Sequence, residues 1–204
     1  LQRHFQTMDA NYPFTATDSF MSIANKMGQL HLESIQDTLT LLAHDSLYQA
    51  VRLMEKSQKI QIYAVDNLNY AGEEFVFKLG RINADAAINP VSDNHFHDAA
   101  MSTPDTCAIC LSYSGETPTL LKSVRLLKEN KTPVIAITSI GQNSLADLAD
   151  VVLPITTREK SYTKIAGFSS LASISLMLDI LYSCYFSLHY QKNMDYKVQI
   201  AEII

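Results

Sequence analysis

The sequence predicts an α/β fold: a three-layer αβα sandwich around a five-stranded parallel sheet, preceded by an N-terminal helical arm. Three observations lead there. Three apolar runs, "TCAICLS" (106–112), "TPVIAIT" (132–138) and "ADVVLPI" (149–155), are nearly continuous, as strands covered on both faces require, and "KIQIYAV" (59–65) reads as a strand before them. Stretches of helical period alternate with them, which implies βαβ units and right-handed crossovers. The 204 residues, 47% hydrophobic and 18% charged, suit one such domain plus an arm.

Each element has its own justification. Residues 1–17 are mixed and polar, with Pro13, and read as an arm or linker; 18–204 form the domain, N-terminal and C-terminal helices included. "TDSFMSIANKMGQLHLESIQDTLTLLA" predicts a long helix with Thr17 or Asp18 as N-cap. Its apolar positions form two stripes, Phe20/Ile23/Met27/Leu30 and Leu32/Ile35/Leu39/Leu42, and two stripes suggest two partners, one of them another subunit. "DSLYQAVRLMEKS" and "NYAGEEFVFKLGRI" (69–82) are further helices, and "ADAAI" (84–88) is the remaining strand. "DNHFHDAA" (93–100) reads as a polar loop. Its His95 and His97, beside Asp93 and Asp98, are read as solvated, with no metal site expected. "TPTLLKSVRLLKENK" (117–131) and "NSLADLA" (143–149) supply the later helices. The run "AGFSSLASISLMLDILYSCYFSLHY" is long enough for a membrane span. Asp179, six serines and the lack of basic flanks make it a buried core or interface helix instead.

Composition narrows the function classes. A net charge of −5 argues against this polypeptide gripping nucleic acid by itself, since its longest basic cluster is only Arg158, Lys160 and Lys164. Three cysteines in apolar surroundings, Cys107, Cys110 and Cys184, suit the cytoplasm. Cys107 and Cys110 fall on opposite strand faces, so they are small buried residues rather than a redox or zinc pair. The start at Leu1 without a methionine suggests a piece of something longer.

The most informative stretch is "CLSYSGETPTLLKSV" (110–124), at the carboxyl end of a strand. Ligands of open parallel sheets bind at such ends. Thr117 can cap a helix that begins at Pro118, while Gly115 permits a positive φ or close backbone approach. Three hydroxyls beside a helix N-terminus favour an anion, most naturally a phosphate.

The segment "LSYSGETPTLLKSVRLLKENKTPVIAITSIGQNSLADLADVVLPI" resembles the central signature of SIS (sugar isomerase) domains. The flanking "DSFMSIANKMGQLHLESIQDTL", "FVFKLGRIN" and "FSSLASISLMLDILY" resemble RpiR-like bacterial transcription regulators, which join an N-terminal helix-turn-helix domain to a SIS effector domain. The resemblance implies that Ser112, Ser114, Gly115 and Thr117 hold a phosphate, with Glu116 contributing mainly backbone. It also implies a homodimer or higher oligomer, and DNA binding only through a domain that would precede Leu1. No cofactor and no membrane are expected.

One departure stands out. SIS domains usually carry Gly-x-Gly-x-Ser after the first strand, whereas "YAVDNLN" has Ala64, Asp66 and Leu68 there. Asp66 at about 5 Å from a phosphate would repel it by about 3 kcal/mol unless Lys164 compensates. Asp66 and Asn67 can instead bond sugar hydroxyls or an amine, or cap the next helix. Glu159, after the last strand, is the best general base should the chain be a sugar-phosphate isomerase. The favoured reading is a sensor, with an isomerase or a scaffold that no longer binds phosphosugars as alternatives.

Overall fold

The structure, a computed structural model, describes residues 8–89, 92–156, 158–160 and 163–203; residues 1–7 of the expected arm and the side chain of Asp93 lie outside that part. The five strands are β1 (Lys59–Ala64), β2 (Ala86–Ile88), β3 (Thr106–Leu111), β4 (Val134–Ser139) and β5 (Val151–Ile155). They form one parallel sheet in the order β2-β1-β3-β4-β5, with Ile62 paired to both Ile88 and Ile109. The chain leaves β1 toward one edge and then builds from β3 toward the other. The loops after β1 and β3 therefore diverge, and the crevice between them is the topological switch point where such sheets bind ligands.

The helices are α1 (Phe20–Leu41), α2 (His44–Lys56), α3 (Leu68–Gly80), α4 (Ser92–Ala100), α5 (Pro118–Glu129), α6 (Ser144–Leu148), α7 (Phe168–Leu188) and α8 (Tyr190–Ile203). They cover both faces, as the continuous apolar strands require. Side chains of α2, α3 and α7 meet Ile60, Ile62, Cys107, Ile109, Ile135 and Ile137 in the larger core. On the other face, Leu120, Val124 and Leu127 of α5, with Ala99 and Leu145, meet Tyr63, Ala108, Cys110 and Ala136. Cys107 and Cys110 thus lie in different cores, as strand alternation predicts.

Four local expectations are corrected. The N-cap of α1 is Ser19, whose Oγ accepts the Ser22 N–H at 3.2 Å. Asp18 is taken up by the Thr15 N–H and by Lys26, which hold its carboxyl down at about 2. "DNHFHDAA" lies in helix α4, and His95 is buried against Tyr63 with ring centroids 5.7 Å apart. Beyond His189 the chain continues as α8, an element the hydrophobic pattern did not announce. Among the described residues, no group of three or more His, Cys, Asp or Glu is placed to hold a metal ion.

α7 is long and apolar enough, by length and composition, to cross a membrane, yet in the fold it packs against α1, α2, α3 and β5. Its inward face carries Ser169, Ser173, Met177 and Leu181. α1 lies against it through Leu30, Ser34 and Thr38, and the Ser34 and Ser169 hydroxyls meet at 2.6 Å. Small hydroxyl residues allow this close approach, while Leu32 and Leu39 of the second stripe stay exposed. Asp179, mid-helix, is paired with Lys78 at 2.5 Å.

Candidate functional site

The site begins with the turn after β3. Ser112, buried at the strand's end, accepts the Gly115 N–H on its Oγ at 3.1 Å, and Ser114 Oγ accepts the Glu116 N–H at 3.2 Å. Each serine oxygen is used as an acceptor, so each hydroxyl proton remains available to a ligand. Gly115 has φ +68°, and a Cβ there would meet Asn143 Oδ1 at 2.0 Å. Asn143, buried, in turn accepts the Ala146 N–H at the start of α6 and donates to the Ser139 carbonyl. The loop is thus braced from below by a side chain that only a glycine can clear.

Thr117 stands at the N-cap position of α5, as expected, with Pro118 at the first helical position. Its side chain makes no capping bond, so the hydroxyl and the first-turn amides of Thr119 and Leu120 are presented together at the positive end of the helix. Glu116 points elsewhere: its carboxylate accepts the Ser144 N–H at 2.8 Å and the Ser144 hydroxyl at 2.7 Å, and these bonds hold it below the usual carboxylate range. Its role in the loop is to hold α6, and its amide serves Ser114.

Across the crevice, the turn after β1 presents Asp66 and Asn67. Asp66 has φ +50°, a left-handed conformation that glycine adopts freely and Asp tolerates. It caps nothing with its carboxylate. Its carbonyl accepts the backbone and side-chain amides of Asn69, and Asn67 stands at the N-cap of α3 without a side-chain bond. The helix-capping alternative for these two residues is not realised.

The third wall comes from residues 158–160 and 163–170. Glu159 is buried, with a side chain shut off from solvent. One carboxylate oxygen accepts the N–H groups of Ser169 and Ser170; the other accepts the Ser170 hydroxyl at 2.7 Å and the Lys164 ammonium at 3.1 Å. It is the anionic cap of α7, supplied from the preceding loop. Lys164 also lies over the Tyr113 ring at 5.1 Å, and the Tyr113 hydroxyl both donates to the Glu159 carbonyl at 2.6 Å and accepts its N–H at 3.0 Å.

Together these walls enclose a cleft of about 660 Å³, lined by Asp66, Asn67, Ser112, Ser114, Glu116, Thr117 and Lys164 among others. Gly115 sits beneath it and Glu159 behind Lys164. Sequence reasoning missed Tyr113, Asn143 and Ser170. Asn143 carried a signal, an Asn immediately before a helical stretch, whereas the other two are recruited by long-range contacts that no local pattern reveals.

The SIS domain family model matches residues 53–185, well over half of the chain. The chain belongs to the SIS domain family. A relative, an uncharacterized HTH-type transcriptional regulator of Caldanaerobacter subterraneus subsp. tengcongensis, is 24% identical over 98% of this chain and 70% of that protein. The chain spans about three fifths of most of the curated relatives it matches, and those too are named as HTH-type transcriptional regulators. Among solved structures, the Vibrio vulnificus NanR protein complexed with ManNAc-6P superposes with a TM-score of 0.81 at 24% identity, over 89% of this chain and 68% of that one. The sugar isomerase domain of an RpiR transcription factor from Sphaerobacter thermophilus gives 0.75 at 13% identity, over 88% and 98%. These solved structures share the fold of this chain.

Proposed function

We propose that this SIS domain is the phosphosugar-sensing and dimerisation part of a bacterial, cytoplasmic transcription regulator whose DNA contacts are made by another domain. The observation that carries this reading is the serine loop. Hydroxyls of Ser112, Ser114 and Thr117 and the uncapped end of α5 converge on one side of a cleft at the sheet's switch point. Fixed donors of this kind suit a phosphate, and the remaining walls leave room for a sugar.

The same geometry favours a sensor over an isomerase. The one carboxylate at the expected position of a general base, Glu159, is saturated by four donors, so it is engaged in holding α7 rather than poised over a substrate carbon.

The signal has a structural route. Lys160 donates its N–H to Asn11 Oδ1 at 2.6 Å, and Ile165 donates to the Asn11 carbonyl at 3.0 Å, docking the N-terminal arm beside the cleft. Arg158 bonds Glu33 at 2.8 Å and Asp37 at 2.6 Å on α1. A ligand that engages Lys164 biases the stretch to which both the arm and α1 are attached, and shifts the regulator by its preference for one arrangement over the other.

The test is a calorimetric or thermal-shift screen against sugar phosphates and their unphosphorylated sugars. Saturable binding of a phosphorylated sugar without turnover, weakened at least tenfold by Ser114→Ala, is expected. No binding across the panel, or conversion of a bound sugar that Glu159→Gln abolishes, would overturn the reading.

A further inference from the structure

The cleft is electrostatically lopsided. One side offers only donors, from the serine loop and α5. The other offers Asp66, whose carboxylate has no hydrogen-bond or ion-pair partner among the described residues. Among the described residues, the other charged groups lining the cleft are spoken for: Glu116 by Ser144, and Lys164, the one cation among them, by Glu159. Lys164 is therefore not Asp66's counter-ion.

An unneutralised carboxylate would weaken an ordinary phosphosugar, and its left-handed backbone position would take glycine with less strain. Both features are accounted for if the ligand itself brings the positive charge. Resting on the phosphosugar reading above, we propose that Asp66 is a specificity residue selecting phosphosugars that bear a free amino group: phosphate on the serine loop, ammonium on Asp66.

Hydroxy sugars would leave the carboxylate with a neutral donor only, and N-acylated sugars would remove the charge and add bulk at that point. At an exposed carboxylate the preference for the amine is expected to be roughly fivefold, the upper end for solvent-accessible ion pairs.

The experiment compares glucosamine 6-phosphate, glucose 6-phosphate and N-acetylglucosamine 6-phosphate by isothermal titration on the wild-type chain and on Asp66→Asn and Asp66→Gly. Both substitutions suit a positive φ, so the fold is retained. The amine is expected to bind tightest to the wild type, and its advantage to vanish in both variants while glucose 6-phosphate binds as well or better. Equal binding of all three by the wild type, tighter binding of the N-acetyl form, or an amine preference that survives Asp66→Asn would overturn the assignment and leave the phosphosugar reading standing. Failure of all three to bind would overturn this assignment, while the phosphosugar reading itself falls only if the wider panel fails too.

Discussion

Gly115 carries two independent constraints, a positive φ and a neighbour, and they can be separated. Gly115→Ala is expected to cost about 1–3 kcal/mol from the backbone alone, with more from the collision against Asn143. In an Asn143→Ala background the collision disappears and only the backbone cost remains. A double-mutant cycle on denaturant midpoints should therefore show a smaller penalty there, and equal penalties would refute the bracing role. His95 makes a different prediction. Burial holds its imidazole below the usual value near 6.5, against smaller opposing effects from Asp98 and the Asn89 backbone. The unfolded chain then binds the proton more readily, so stability falls as pH drops below about 6.5. A declining melting temperature between pH 7 and 5, flattened in His95→Gln, would bear this out. The carboxylates held low by local bonds, Asp9, Asp18 and Glu116, act only in a more acid window.

At the level of elements, α7 depends on a cap it does not itself contain. Removing the Glu159 carboxylate leaves buried amides and the Lys164 ammonium without their acceptor, so Glu159→Ala should destabilise by about 1–3 kcal/mol. Hydrogen exchange should quicken first at Ser169 and Ser170, and uniform quickening over the whole chain would argue against capping. Arg158→Ala should likewise release α1 from the loop after β5, seen as faster exchange in α1 with the sheet still protected. These dependencies explain what the sequence revealed and what it hid. The inner strands β1, β3 and β4 are buried along most of their length and so could be read directly from their apolar runs. The three-residue edge strand β2 is only partly buried and gave a shorter signal, and hydroxyls around a glycine located the cleft. α4 was hidden because Asp, Asn and His dominate it and favour turns as readily as helices. The Glu159 cap was hidden because its partners lie ten and eleven residues away, across a loop.

For the molecule as a whole, the outer sides of α1 and α7 form an apolar groove of about 630 Å³ that includes His31, Ile35, Phe168, Leu171 and Leu176, next to exposed Leu32 and Leu39. We propose this as the surface where two copies meet. Sedimentation should give a dimer for the wild type and a monomer for Ile35→Glu; an unchanged dimer would move the interface elsewhere. The chain's most consequential feature is the serine turn after β3, shaped by its own amide contacts and by the asparagine below it. Because its form is set within the protein, capture of an effector needs little rearrangement, and association should run at the pace of ordinary encounters. Competing ligands of the cleft would then differ chiefly in how long they stay, so selectivity would be a matter of residence time.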